Sequence, residues 1–487
     1  MEFFEILVLV ASFIILLIIG VPIAYSIGIS GILTMLVSID LIPAFTTFSQ
    51  RMATGLDSFA LLAIPFFILA GNIMNSGGIA IRLIDFARIL VGGIPGGVAM
   101  VNVLANMLFG AISGSAGASA SAIGSIMQPE MKKEGYPENF SAAVNITSAT
   151  TGLSIPPSNI LIVYSLASGG VSITALFLAG YLPGILTGLG IIITAITMLI
   201  YKKSGTKAAI KALGVVSLIA IGLLAIYKGI SYSRANFSSG TNQILAYLAI
   251  VAFAVWATIK TIRNKKKAIE GTRKFLEAIP SLLLLVIVIG GIVAGFFTAT
   301  EASAIAVLYA LILSFIYRQI KIKDLPDIIL RSVKTTGIVM LLVSACLGLS
   351  WIMAYENIPQ NVSEGLLSLT SNPFMILLII NMILLFVGIF MDMTPAVLIF
   401  TPIFLPIVTS MGIDPIHFGI IMVLNLSVGL CTPPVGSILF IGCSVAGLSI
   451  DKVIKPLLPM FIAMVIVLLL VTYIPEISLW LPHSLGF

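Results

Sequence analysis

Long apolar runs alternate with short basic clusters along almost the whole chain. A helix needs about 20 apolar residues to cross a bilayer. The runs predict spanning helices at 3–24, 26–40, 58–76, 140–167, 173–200, 212–230, 244–262, 276–297, 299–317, 332–355, 416–445 and 456–475. Two further apolar stretches, 98–130 and 374–411, are each too long for one helix and are broken near the middle. The breaks are Ser113-Gly114-Ser115 and Asp392-Met393-Thr394-Pro395. Both stretches predict re-entrant hairpins, whose irregular tips are tolerable at membrane depth only where protein or water covers them. Residues 41–57 read as a further short span, with Arg51 and Asp57 outside or in an interfacial turn.

The pattern occurs twice. Residues 152–157 read Gly-Leu-Ser-Ile-Pro-Pro and residues 429–434 read Gly-Leu-Cys-Thr-Pro-Pro, and Gly-x-Ser-Ile follows at 170–173 and 447–450. One hairpin stretch precedes each copy at matching distance. Two separated copies of a broken apolar pattern point to a secondary transporter with its site at the repeat interface. Charge gives an independent test of orientation. The basic loops (Arg82/Arg88, Lys132/Lys133, Lys202 to Lys211, Lys260 to Lys274, Arg318 to Lys334) belong on the cytoplasmic side. Loop 356–372 carries Glu356 and Glu364 and no basic residue, and falls outside. The first hairpin then enters from the cytoplasm and the second from the exterior, 140–167 runs outward and 416–445 inward. The repeats are inverted, and the N-terminus lies outside.

Of 487 residues, 59% are hydrophobic and 9% charged, against about a quarter charged in soluble domains. The net charge of +6 resides in the loop clusters, so it marks topology and no nucleic-acid partner is implied. Cys346, Cys431 and Cys443 lie in apolar segments without paired spacing, which supports neither a disulfide framework nor a metal knuckle. The first twenty residues lack a basic leader region and read as a membrane helix rather than a removed signal.

Interrupted helices expose carbonyls on one side, which suit a small cation, and N-terminal amides on the other, which suit an anion. Thr394 before Pro395 and Thr432 before Pro433 read as helix caps followed by a first-turn proline. From Gly110 to Ser125, 14 of 16 residues are Gly, Ala or Ser, as tight packing of membrane helices also requires. At the tip, Ser113, Gly114 and Ser115 read as ligand contacts. Asp392 is the only charged residue between Glu364 and Asp414. A carboxylate there costs about 2.5–3.5 kcal/mol on insertion scales. It reads as a cation ligand or proton carrier, with a helix cap as the alternative. Glu301 fits a first-turn carboxylate favoured by the helix dipole. Asn145, Thr150, Asn159 and Asn425 fit interhelical hydrogen bonding.

The segments Gly-Leu-Ser-Ile-Pro-Pro-Ser-Asn from 152 and Gly-Leu-Cys-Thr-Pro-Pro-Val-Gly from 429 resemble the large membrane subunit of tripartite ATP-independent periplasmic (TRAP) transporters. Thr-Glu-Ala-Ser-Ala at 300–304, Ile-Pro-Phe-Phe-Ile-Leu-Ala-Gly at 64–71 and Gly-Ala-Ile-Ser-Gly-Ser at 110–115 strengthen the likeness, which covers roughly 1–200 and 276–487. The resemblance implies an all-α integral membrane protein of elevator-type ion-transporter fold. Its two inverted repeats would each consist of a re-entrant hairpin and a discontinuous transmembrane helix. The chain then divides into scaffold helices and arm (1–97), first repeat core (98–173), scaffold (174–373, with a two-helix insertion at 205–265), second repeat core (374–450) and a C-terminal helix (451–487). The insertion is a departure from the family pattern.

The resemblance also implies multi-pass residence in the bacterial inner membrane and Na⁺-coupled uptake of a small organic acid, a dicarboxylate or sialic acid type. Na⁺ would be the coupling ion, with no other cofactor. Implied partners are the lipid bilayer, a small four-helix membrane subunit and a periplasmic substrate-binding protein. Carried over, the Na⁺ sites would use Ser113, Ser115 and Gly152 in one repeat and Asp392, Thr394, Gly429, Thr432 and Pro433 in the other. Gly114, Ser154, Pro156, Asn159 and Pro434 would face the substrate. A self-sufficient Na⁺/dicarboxylate symporter uses the same hairpin logic. An intramembrane serine hydrolase would need a base near Ser113, and neither His417 nor His483 is placed for it. A channel would need a ring-forming filter sequence, which is lacking.

Overall fold

The computed structural model describes residues 2–92, 96–201, 265–433 and 436–487. The helices expected at 212–230 and 244–262 lie outside the described residues. The described residues form helices and no strand. Among the described residues, seven helices are long and apolar enough to cross a membrane, including Ile173–Tyr201, Ala299–Ile316 and Ile450–Tyr473. This is an all-α membrane protein.

The two repeat cores follow the same order. In the first, the hairpin Gly97–Ser113 and Ala116–Lys133 leads to Glu138–Ala149, a break, and Asn159–Ala167. In the second, Pro373–Phe390 and Met393–Ser410 lead to Pro415–Gly429, a break, and Ser437–Ala446. The packing is reciprocal. Each hairpin's first arm lies on the first half of its own broken helix. Each second arm crosses over: Ala116–Lys133 packs on Ser437–Ala446, and Met393–Ser410 packs on Asn159–Ala167. Neither repeat buries its small-residue faces without the other.

The surrounding helices repeat as well. Ile23–Ser38 packs against Leu325–Tyr355, and Ala63–Ser76 against Ala299–Ile316. Ala63–Ser76 and Leu325–Tyr355 are each followed by a short helix where the apolar pattern gave only loops, Ile79–Val91 and Ile358–Leu369. In the first, Ile79, Ala80, Leu83, Ile84 and Ala87 are buried on one face, the 3.6-residue period of an interfacial helix. Its 13 residues are too few to register as a span. Arg82 extends from it over the Tyr317 ring, 3.4 Å from its centroid, a cation–π contact.

The helix Ala299–Ile316 begins with a capping box. Thr298 Oγ1 accepts from Glu301 N at 3.3 Å, and Glu301 Oε2 accepts from Thr298 N at 2.8 Å. Glu301 is thus a structural terminus residue, as the dipole argument allowed. Thr298→Ala is expected to lower stability by about 1 kcal/mol, read as a lower melting temperature with ion-dependent stabilisation unchanged.

Candidate functional site

A cavity of 420 Å³ lies where the two repeat cores meet the helices Ala63–Ser76 and Leu325–Tyr355. Ala116, Asn159, Met393 and Ser437 all line it. Each is the first residue of its helix. Four helix N-termini from two repeats therefore converge on one space. Every such end carries roughly half a positive charge and unpaired N–H groups, so the space suits an anion.

The tips are built by capping. Ser115 Oγ accepts from Ala118 N at 3.2 Å and starts the second arm of the first hairpin. The tip is closed by Gly114 at φ 61°, a left-handed conformation that favours glycine. In the second hairpin the cap is Asp392, whose Oδ1 accepts from Met393 N at 2.9 Å. This corrects the sequence expectation that Thr394 caps ahead of Pro395: Thr394 lies inside the first turn. Thr432 likewise caps no helix. Its Oγ1 donates to Val428 O at 3.2 Å, and the next helix starts after Gly436. The Asp392 cap leaves Oδ2 without a hydrogen-bond partner here while the residue opens into the cavity.

Six of the residues singled out from sequence share this cavity: Ser113, Gly114, Ser115, Asn159, Asp392 and Thr394. The other described residues of that set do not line it. Ser154 is 1% exposed, its hydroxyl without a partner, and Pro156 is buried beside it. Thr432 and Pro433 are half-buried near the second break and do not line the cavity. Pro434 lies outside the described residues. Asn159 packs its amide against the Gly114 tip, and its buried Oδ1 accepts no hydrogen bond.

Gly152 and Gly429 meet the hairpins backbone to backbone. A Cβ on Gly152 would meet Gly110 Cα at 2.5 Å, and one on Gly429 would meet Gly388 Cα at 2.7 Å. Each hairpin thus crosses its own broken helix glycine on glycine. Gly110 opens the small-residue stretch for which sequence reading offered tight helix packing, whereas Gly388, a few residues before the second tip, was missed. Two asparagine clusters brace the same crossings. Asn106 Nδ2 donates to Asn145 Oδ1 at 3.1 Å, and Asn425 Nδ2 donates to Asn381 Oδ1 at 2.7 Å. These are interhelical bonds, as the polar residues in these spans suggested. Asn72 and Thr335, on the far wall, gave no repeat signal and were also missed.

Residues 10–477 match the family described as "Tripartite ATP-independent periplasmic transporter, DctM component". The chain is 50% identical to Salmonella typhimurium "Uncharacterized protein YgiK", over 98% of this chain and 97% of the relative. It is 34% identical to the "C4-dicarboxylate TRAP transporter large permease protein DctM" of Rhodobacter capsulatus, over 99% of both chains. Among solved structures, the Alcanivorax borkumensis YdaH transporter superposes with a TM-score of 0.57 over 91% of this chain and 89% of that one; at 13% identity the likeness is one of fold. The chain therefore belongs to the DctM family, the large permease component of TRAP transporters.

Proposed function

We propose that this permease subunit carries out Na⁺-coupled uptake of a small organic acid, of the dicarboxylate kind, across the bacterial inner membrane by an elevator motion. Like its relatives it is a transport component and not an enzyme, and it works with other TRAP components. The observation that carries the substrate class is the convergence of four helix N-termini on one cavity. A carboxylate is an acceptor-only anion, and it is matched there by unpaired amides and positive dipole ends. The fold supports the motion: the two interlocked repeat cores form one unit packed against a separate set of helices.

Na⁺ is treated as a transported ion. Asp392 Oδ2, the Ser113 and Ser115 hydroxyls and the Thr394 hydroxyl supply hard oxygen ligands at the two tips. Coordination there would neutralise Asp392 and fix both tips in the form that receives the anion. Gly152 and Gly429, together with Thr432 and Pro433, would contribute carbonyls behind the tips. Thr335 follows Arg331 and Lys334 by at most a turn, so the cavity lies toward the basic, cytoplasmic end of its helix. This supports an inward-facing arrangement.

The test is initial-rate uptake of labelled succinate into proteoliposomes containing this chain and its small membrane subunit. Uptake is expected to need both an inward Na⁺ gradient and the periplasmic binding protein. Uptake at full rate without the binding protein would make the chain a self-sufficient symporter. Indifference to the Na⁺ gradient would remove the coupling proposal.

A further inference from the structure

The scaffold wall of the cavity is apolar at Ile64, Ile68 and Val339, with two polar side chains among them, Asn72 and Thr335. Their hydrogen bonds differ in what they leave free. Thr335 donates its only hydroxyl proton to Arg331 O at 3.1 Å, so it faces the cavity as an acceptor. Asn72 donates one amide proton to Ser332 Oγ at 2.8 Å. Ser332 in turn donates to Ile328 O at 2.8 Å. That chain fixes the plane of the Asn72 amide and leaves its second N–H and its Oδ1 unspent. The neighbouring Gly71 brings the helix against the first tip: a Cβ there would lie 3.0 Å from Ser113 O. Asn72 therefore sits beside the Ser113–Ser115 tip, on the scaffold side of the cavity.

We infer that Asn72 is a substrate contact and specificity determinant, donating its free amide proton to the second carboxylate of a dicarboxylate whose first carboxylate lies on the helix N-termini. The inference rests on the reading of the cavity as the organic-acid site. A carboxylate needs donors, and Asn72 is the scaffold-wall side chain with one to give. A half-buried donor placed for a carboxylate oxygen discriminates against ligands that lack the oxygen. Because Asn72 belongs to the scaffold and the helix ends to the repeats, the substrate bridges the two bodies only in the arrangement seen here.

The experiment measures succinate uptake into proteoliposomes holding the complete transporter with saturating binding protein and an inward Na⁺ gradient. Wild type is compared with Asn72→Ala, Asn72→Asp, Asn72→Ser and Ser332→Ala, and melting temperatures are recorded alongside. Loss of a hydrogen bond to a charged group is expected to lower uptake about tenfold or more in Asn72→Ala. Asn72→Asp falls further, because a carboxylate replaces a donor. Asn72→Ser, which keeps a donor, recovers part of the loss. Ser332→Ala removes the brace but leaves the amide, and is expected to cost no more than about threefold. Equal losses in Asn72→Ala and Ser332→Ala, with Ser and Asp no different from Ala, would make Asn72 a helix brace and overturn the inference. Wild-type protein that carries no succinate, fumarate or malate would overturn the dicarboxylate reading and this inference with it.

Discussion

Asp392→Asn is expected to abolish the Na⁺-specific rise in melting temperature and to reduce Na⁺-driven uptake at least about a hundredfold, while the protein still folds. The substitution separates the cap that the structure shows from the cation ligand that is proposed for the same side chain. Asp392 caps Met393–Ser410 through Oδ1, and asparagine caps a helix about as well as aspartate. What Asn lacks is the charge on a residue that lines the cavity. A ligand that binds only the folded state stabilises it by about 2.7 kcal/mol at one hundred times its dissociation constant. Wild-type protein should therefore show a saturable response to NaCl that choline chloride and KCl do not reproduce. Asp392→Ala removes charge and cap together, and should also melt lower without Na⁺, by about 1 kcal/mol. Undiminished Na⁺ stabilisation in Asp392→Asn would leave Asp392 as a cap alone.

The spans, the two broken stretches and their tips were legible because the bilayer imposes a long apolar run on each helix and penalises each interruption. Asp392 stood out for the same reason, as a lone charge in an apolar stretch. Which residue caps the second tip was not legible. Asp392 and Thr394 both suit an N-cap, and only the chain's path decides that the helix begins at Met393. The helices Ile79–Val91 and Ile358–Leu369 were missed because they lie below span length, although the buried face of the first is periodic. Asn72 was hidden for a further reason: its relation to the tips exists only across a packing interface between elements far apart in the chain. The family resemblance had implied Gly152 and Gly429 as parts of the ion sites. Their contacts with Gly110 and Gly388 show a second demand on the same positions, which a one-dimensional pattern cannot separate from the first.

That second demand carries the largest expected effect on stability. Gly152→Ala would place a methyl 2.5 Å from Gly110 Cα, 2.6 Å from Gly110 C and 2.7 Å from Ala111 N. All three are backbone atoms of a buried helix, so no side-chain rotation relieves the overlap and the two helices must separate. Overpacking of a core typically costs 1–3 kcal/mol, and a backbone crossing belongs at or above about 3 kcal/mol. Gly429→Ala, at 2.7 Å from Gly388 Cα, should rank next, followed by Gly110→Ala at 2.9 Å and Gly388→Ala at 3.0 Å. Gly365→Ala is the control. It lies exposed in Ile358–Leu369 with nothing within 4 Å of an added Cβ, and alanine there should stabilise the helix by about 0.5–1 kcal/mol. Melting temperature and yield of the detergent-solubilised variants read the series. The graded order, with its loss at Gly152 and gain at Gly365, would confirm that each hairpin is pinned to its broken helix at a glycine pair. In the proposed cycle, that pinning would let tip and break move together with an ion between them. Four small and equal shifts would mean that the crossings are loose, and would remove the mechanical basis for carrying the site as one rigid body.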